Sequence, residues 1–329
     1  MNNRNFNQSF SITVNSCKGF AILLVMLGHI QSPLGSFIYS FHIPLFFFIG
    51  GIFVNPDNPV IEFFKKNARR IFVPYFLFGL LGLVVNAIKE VALGRARHGV
   101  LDELVGLFWW MDIDHLQHYG FVLWFLPALF WARAFVFLLI KYIKINAILL
   151  LIMVLVFSSY ILESQILPLA LDKGVVALPW VLSGYIFAKH KQNLLHNSIL
   201  KLLFFMLGFL LIYFFDLLSP LDMARNIVGN IYLAFTCSIF VSCFLVFLFF
   251  NFNSLLQRYP FLTVFGIESL LVLVLHAYLN NVFHLIVENY FNGEWYLKFL
   301  CTLAVLSLLI FIKGKYWENN LFSFVRKQA

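Results

Sequence analysis

The residues of this chain that could do chemistry are a few ionisable groups set inside apolar sequence. The stretch from Asn15 to Gly51 reads NSCKGFAILLVMLGHIQSPLGSFIYSFHIPLFFFIGG, two apolar runs joined by a turn without charge, with Lys18, His29 and His42 among them. An ionisable group within a membrane span is costly and is by default a candidate for function. Lys18 and His29 are eleven residues apart. On a helix that is about three turns, so both share a face, roughly 16 Å apart along the axis, about half of a ~30 Å hydrocarbon core. One face would carry a cation near the membrane surface and an imidazole near mid-depth. A neutral imidazole there could act as a general base or a nucleophile, or serve a proton relay.

Three other stretches carry similar signals. In GIESLLVLVLHAYLN, Ser269 and His276 are seven residues apart and Asn280 follows four later, a stripe on one helical face. In KKNARRIFVPY, Lys65, Lys66, Arg69 and Arg70 crowd together. They read as a topology signal that also attracts anionic lipid, or as a clamp for a polyanion, since guanidinium binds phosphate through a bidentate fork. In FWWMDIDHLQHYGFVLWF, Trp109, Trp110 and Trp124 surround Asp112, Asp114, His115 and His118. That mixture suits an interfacial aromatic belt. It also suits a sugar, whose ring face stacks on indole while carboxylates accept from its hydroxyls. Asp and His can both ligate metals, but the spacing matches no metal motif, and no metal is expected.

The elements that must position these groups are membrane helices. Apolar residues make up 62% of the 329 positions, charged residues only 12%, and the mean hydropathy is +0.89. A soluble domain carries about a quarter charged residues. The expected fold is all-α, a polytopic integral membrane bundle of about ten spans, near 15–33, 36–54, 71–88, 119–140, 146–163, 168–188, 199–218, 227–250, 261–287 and 296–313. No composition shift marks a soluble part, so residues 1–329 form one domain. The net charge of +8 does not signal nucleic-acid binding, because the cations are scattered over short loops instead of forming one basic face. Their distribution reports topology. With both termini cytoplasmic, sixteen cations fall inside (Arg4, Lys18, Lys65, Lys66, Arg69, Arg70, Lys141, Lys144, Lys189, Lys191, Lys201, Arg258, Lys313, Lys315, Arg326 and Lys327), and the opposite side keeps only Lys89, Arg95, Arg97, Lys173, Arg225 and Lys298. Arg133 is left within the fourth span. Nothing near the start resembles a cleaved signal peptide, and the first span is expected to be its own targeting signal. Cys17, Cys237, Cys243 and Cys301 lie in or beside apolar runs without a C-x-x-C pair, which predicts free buried thiols.

Five of these segments, taken in order, resemble the acyltransferase-3 family of polytopic membrane O-acyltransferases, and in particular its fucose 4-O-acetylase-like branch. They are KGFAILLVMLGH (Lys18 to His29), FHIPLFFFIGG (Phe41 to Gly51), RRIFVPY (Arg69 to Tyr75), LWFLPALF (Leu123 to Phe130) and GIESLLVLVLH (Gly266 to His276). The family's hallmark is a basic residue, ten intervening residues and a histidine, which Lys18 and His29 fit with lysine in place of the commoner arginine. Two positions depart from the branch. Asn15 stands where an aspartate is usual, and Gly50 precedes Gly51 where a serine is usual.

The resemblance implies transfer of an acyl group, usually acetyl, from cytoplasmic acyl-CoA to a hydroxyl of a surface polysaccharide or lipid-linked glycan, in a multi-pass protein of the inner (cytoplasmic) membrane. On that reading His29 is the base or transient acyl carrier, with His42 and His276 orienting it or polarising the thioester. Lys18, Arg69 and Arg70 hold the phosphates of acetyl-CoA. Asn15, Trp124, Ser269, Asp112 and Asp114 contact the acceptor. The alternatives are a transporter or flippase for a glycan or acyl intermediate, which would use the same intramembrane histidines, and a non-catalytic relative that assists polysaccharide assembly. No convincing internal repeat supports the transporter.

Overall fold

The computed structural model describes residues 3–30, 32–92, 94, 100–109, 119–161, 167–214, 217, 221–224 and 227–316. The chain is an all-α polytopic membrane bundle. Its helices are α1 (Asn3–Gly28), α2 (Gly35–Tyr39), α3 (His42–Ile52), α4 (Val60–Ala92), α5 (Val100–Phe108), α6 (Phe125–Tyr142), α7 (Ala147–Ile161), α8 (Leu171–Val176), α9 (Leu178–Leu195), α10 (Ser198–Phe214), α11 (Ile231–Asn251), α12 (Asn253–Arg258), α13 (Phe261–Ile267), α14 (Ser269–Tyr290) and α15 (Trp295–Tyr316). Among the described residues the only strands are a two-residue antiparallel pair that sets Leu221 opposite Val228.

Among the described residues seven helical stretches are long and apolar enough to cross a membrane, or eight if the bent pair formed by 168–176 and α9 is one span. The fifth and seventh expected spans are present as the shorter apolar helices α7 and α10. Three of the expected spans are interrupted. The second is split into α2 and α3, the sixth bends by 60° between α8 and α9, and the ninth breaks at Glu268 between α13 and α14. α1 begins twelve residues before its expected start, and α4 eleven before.

Helix ends and contacts have local causes. Asn230 caps α11, its side-chain oxygen accepting from the backbone N–H groups of Tyr232 and Leu233. Pro179 lies in the first turn of α9, and Pro44 in the first turn of α3, where the missing N–H would have had no helical partner. The outer faces of α4, α7, α10 and α15 expose Leu77, Ile152, Phe204 and Phe311, among others, the apolar surface that lipid solvates.

Two glycine crossings lock the interior. A Cβ on Gly19 of α1 would stand 1.8 Å from the Leu262 carbonyl oxygen, and one on Gly266 of α13 would stand 1.7 Å from that of Asn15. A Cβ on Gly51 of α3 would lie 1.9 Å from the Val181 oxygen, and one on Gly184 of α9 would lie 1.8 Å from that of Phe48. At both crossings only glycine lets the backbones approach this closely.

Candidate active site

α1 carries the site at two levels, His29 just past its end and Lys18 within it. His29 follows the last residue of α1, its N–H reaching the Val25 carbonyl at 3.2 Å. The His29 and His276 rings lie 5.3 Å apart, centroid to centroid, tilted by 37°. Tyr39, at the end of α2, stands edge-on to His29 at 6.4 Å and edge-on to His42 at 5.2 Å. The three histidines, far apart in sequence, therefore form one cluster with Tyr39 between two of them. His42 is 2% exposed and His276 0%.

The two flanking histidines are fixed in the same way. His42 Nδ1 lies 2.6 Å from the Ile38 carbonyl oxygen, and His276 Nδ1 lies 3.0 Å from that of Val272, each four residues earlier. A carbonyl oxygen only accepts, so Nδ1 carries the hydrogen in both. In the neutral ring that leaves the lone pair on Nε2. His276 Nε2 is buried with no hydrogen-bond partner among the described residues, a proton acceptor held ready beside His29. The Ile38 carbonyl, at the end of the short helix α2, accepts from the Phe41 N–H at 3.3 Å as well as from His42 Nδ1. One turn beyond His276, Asn280 donates to the Met26 carbonyl at 3.4 Å and accepts from Thr302 at 2.9 Å, tying α14 to α1 and α15.

The second level is cationic. Lys18 is half-buried on α1, and Arg69 and Arg70 are exposed on α4. Arg70 interacts electrostatically with Lys18 and with Arg133 of α6. Consecutive helical residues point about 100° apart, so Arg69 takes a different bearing from Arg70. Pro74, four residues on, leaves the Arg70 carbonyl without its intrahelical donor.

The remaining expected residues are dispersed. Asn15 lies one turn before Lys18, fourteen residues and roughly 21 Å from His29 along the axis, with its carbonyl oxygen packed on Gly266. Ser269 opens α14 beside Glu268, whose carboxylate takes the Lys313 ammonium. It stands about 10 Å along the axis from His276. Trp124 is buried edge-on against Phe125, which in turn packs on Phe46 and Phe47, just past His42 in α3. Asp112 and Asp114 lie outside the described residues. Among the described residues no three His, Cys, Asp or Glu gather as a metal site, and all four cysteines are free.

Sequence reasoning missed Tyr39 and Thr302, because uncharged residues in apolar runs give no signal of their own. It noted Arg133 but gave it no role, although a cation inside a span is itself a signal.

Comparison with known proteins adds one match. A family model described as an acyltransferase domain matches residues 12–321. No curated protein and no solved structure gives a match.

Proposed function

This chain belongs to the acyltransferase-3 family, and from that premise we propose that it is a membrane O-acetyltransferase. It would move the acetyl group of cytoplasmic acetyl-CoA to a hydroxyl of a surface polysaccharide or lipid-linked glycan, in the manner of the fucose 4-O-acetylase-like branch, from the inner membrane. The observation that carries this reading is the two-level site on α1. The clustered histidines stand roughly 16 Å along the axis from Lys18, with Arg70 within electrostatic range of that lysine. The chemistry of the donor set fits acetyl-CoA, since cations suit its phosphates and imidazoles suit its thioester and the attacking hydroxyl.

In the reaction, His29 takes the proton from the acceptor hydroxyl. The oxygen attacks the thioester carbonyl carbon, the C–S bond breaks, and the CoA thiolate leaves with that proton as the thiol. His276, through its unpartnered Nε2, holds the acceptor hydroxyl or the proton on His29. His42, anchored on Ile38, acts with Tyr39 to set the angle of the His29 ring. Lys18, Arg69 and Arg70 serve the donor phosphates at the cytoplasmic mouth. Asn15 belongs with that mouth by position. Trp124 belongs with the acceptor side, where Asp112 and Asp114 would meet sugar hydroxyls.

Family membership supports acyl transfer over transport of a glycan. The test is transfer of label from acetyl-CoA to a glycan acceptor by the purified full chain, read as a hydroxylamine-labile ester. Wild type forms the ester. His29→Ala, still monodisperse in detergent, loses it by at least about a hundredfold. Undiminished transfer by that variant would remove His29 from the chemistry, and no transfer by wild type would remove the reading.

A further inference from the structure

The bent span formed by 168–176 and α9 holds a buried ion pair that the histidine site does not use. Asp172 is 2% exposed and Lys173 1%. Consecutive helical residues point about 100° apart, so the two side chains meet poorly. Lys173 Nζ donates to Asp172 Oδ2 at 3.4 Å, where a good charge-assisted bond is about 2.8 Å. An ammonium carries three N–H groups. Among the described residues the other two of Lys173 have no acceptor.

The backbone around the pair is strained, yet its carbonyls are served. Leu169 (φ 52°) and Ala170 (φ 51°) are consecutive non-glycine residues in the left-handed region, a conformation that persists only where the surroundings impose it and that clusters at ligand sites. Irregular backbone at membrane depth is tolerated where it is buried in protein or lines a polar cavity. Here Trp131 Nε1 of α6 donates to the Leu169 carbonyl at 3.1 Å. Ser158 Oγ of α7 donates at 3.1 Å to the Val175 carbonyl, which Pro179, four residues on, has no N–H to serve. Neighbouring helices thus supply donors to this bend and, among the described residues, no further acceptor to the ammonium inside it. Buried donors of a charged group are costly to leave unmet, and an ionisable residue within a membrane span is by default a candidate for a substrate path.

We propose that Lys173, with Asp172, binds adjacent hydroxyls of a sugar, and that this sugar belongs to the acyl acceptor. The assignment to the acceptor rests on the acyl-transfer reading; the sugar site does not. The charges of the pair cancel, so an anion drawn to the ammonium is repelled by the carboxylate beside it. A vicinal diol is neutral, and it accepts from Nζ with one hydroxyl while donating to the carboxylate with the other. The position agrees. Gly174, next to Lys173, packs on α6, where a Cβ would lie 3.0 Å from the Ala128 carbonyl oxygen. Phe125, about one turn earlier on α6, packs on Phe46 and Phe47 just past His42. α6 therefore stands between the pair and the start of α3, a helix diameter of about 10 Å. That interval assigns Lys173 to a sugar unit next to the one acylated.

The test is calorimetric titration of the purified full chain with oligosaccharides cut from the source cell's surface polysaccharide after its esters are removed with base. Deleting one partner of a buried ion pair strands the other charge, whereas replacing both does not, so the main variant is Asp172→Asn/Lys173→Met, with Lys173→Arg beside it. Wild type binds the oligosaccharides. The double variant keeps its Tm and binds them at least about tenfold more weakly, and Lys173→Arg keeps part of the affinity. Wild-type affinity in a monodisperse double variant, or no binding by wild type, would overturn the site. Weaker binding with a large fall in Tm in both variants would assign the pair to packing and overturn it too. Displacement of the oligosaccharides by millimolar inorganic phosphate would give the pair to an anion, with the same consequence. Binding that depends on Lys173 in a chain that transfers no acetyl group would support the site and overturn its assignment to the acceptor.

Discussion

The two ends of α1 solve opposite problems. At the His29 end the polar groups are rings, and at least two of them, on His42 and His276, are pinned to backbone carbonyls four residues back. At the Lys18 end the polar groups are full charges, Lys18 on α1 and Arg70 on α4, and among the described residues neither forms an ion pair. Pinned, buried rings favour a fixed tautomer and a dry setting for proton transfer. Unpaired cations are costly until something anionic arrives. One end is therefore suited to proton transfer and the other, on the function proposed above, to an anionic ligand. A single apolar helix can carry both because eleven residues bring the chain back to the same face three turns away.

The largest expected effect comes from removing the frame on which both ends depend. Gly266→Val or Gly51→Val forces a side chain into a backbone carbonyl that already lies under 2 Å from the Cβ position. Each should cost about 3 kcal/mol or more, read as a large drop in Tm or loss of monodisperse protein. Gly35→Ala, with nothing within 4 Å of its Cβ, should leave Tm unchanged. A Gly266→Val chain that melts like wild type would mean that the Lys18 end is not held by this crossing.

The next effect tests whether the two ends are separable in kinetics. His276→Gln should lower kcat about a hundredfold with little change in KM for the donor, because it removes a proton acceptor used in the transition state. Lys18→Ala should do the reverse, raising donor KM about tenfold with kcat nearly intact. Steady-state assays with acetyl-CoA varied at saturating acceptor read both. If the two variants move the same parameter, the ends work as one unit and the comparison fails.

How much of this could be read beforehand follows the same division. Lys18, His29, His42, Arg70 and His276 were legible because a charged or ionisable residue in an apolar run is conspicuous whatever the fold. The bundle itself was legible because apolar run length reports a membrane span directly. The breaks at Phe41, Ala177 and Glu268 were not. Each lies within a run whose overall hydropathy stays that of a span despite Ser40, His42, Glu268 and Ser269, and a helix of five or seven residues has no hydropathy signature. Across the Phe41 break His42 keeps the pairing with a carbonyl four residues back that His276 makes with Val272 inside the unbroken α14. Tyr39 and Thr302 were hidden for a related reason, since their roles depend on which helices become neighbours. Ser269 keeps the shared helical face with His276 that its spacing predicts, with two turns of rise between them.

That separation yields the smallest predicted effect. Ser269 opens α14 directly after Glu268, whose carboxylate is taken by Lys313, and about 10 Å of helix lies between it and the His276 ring. Ser269→Ala removes a hydroxyl far from the histidine cluster and puts a better helix former in the first turn. It should change kcat by no more than about twofold, within the range of substitutions that touch no critical partner. Asn280 lies four residues from His276 on the other side and holds both the Met26 carbonyl and the Thr302 hydroxyl. Asn280→Ala unties α14 from α1 and α15 just where His276 must face His29, so kcat should fall about tenfold while donor KM stays close to wild type. The pair of variants therefore locates the lower edge of the reacting region on α14. Equal losses in both would move that edge down to Ser269 and place the acceptor hydroxyl nearer the cations than the histidine cluster implies.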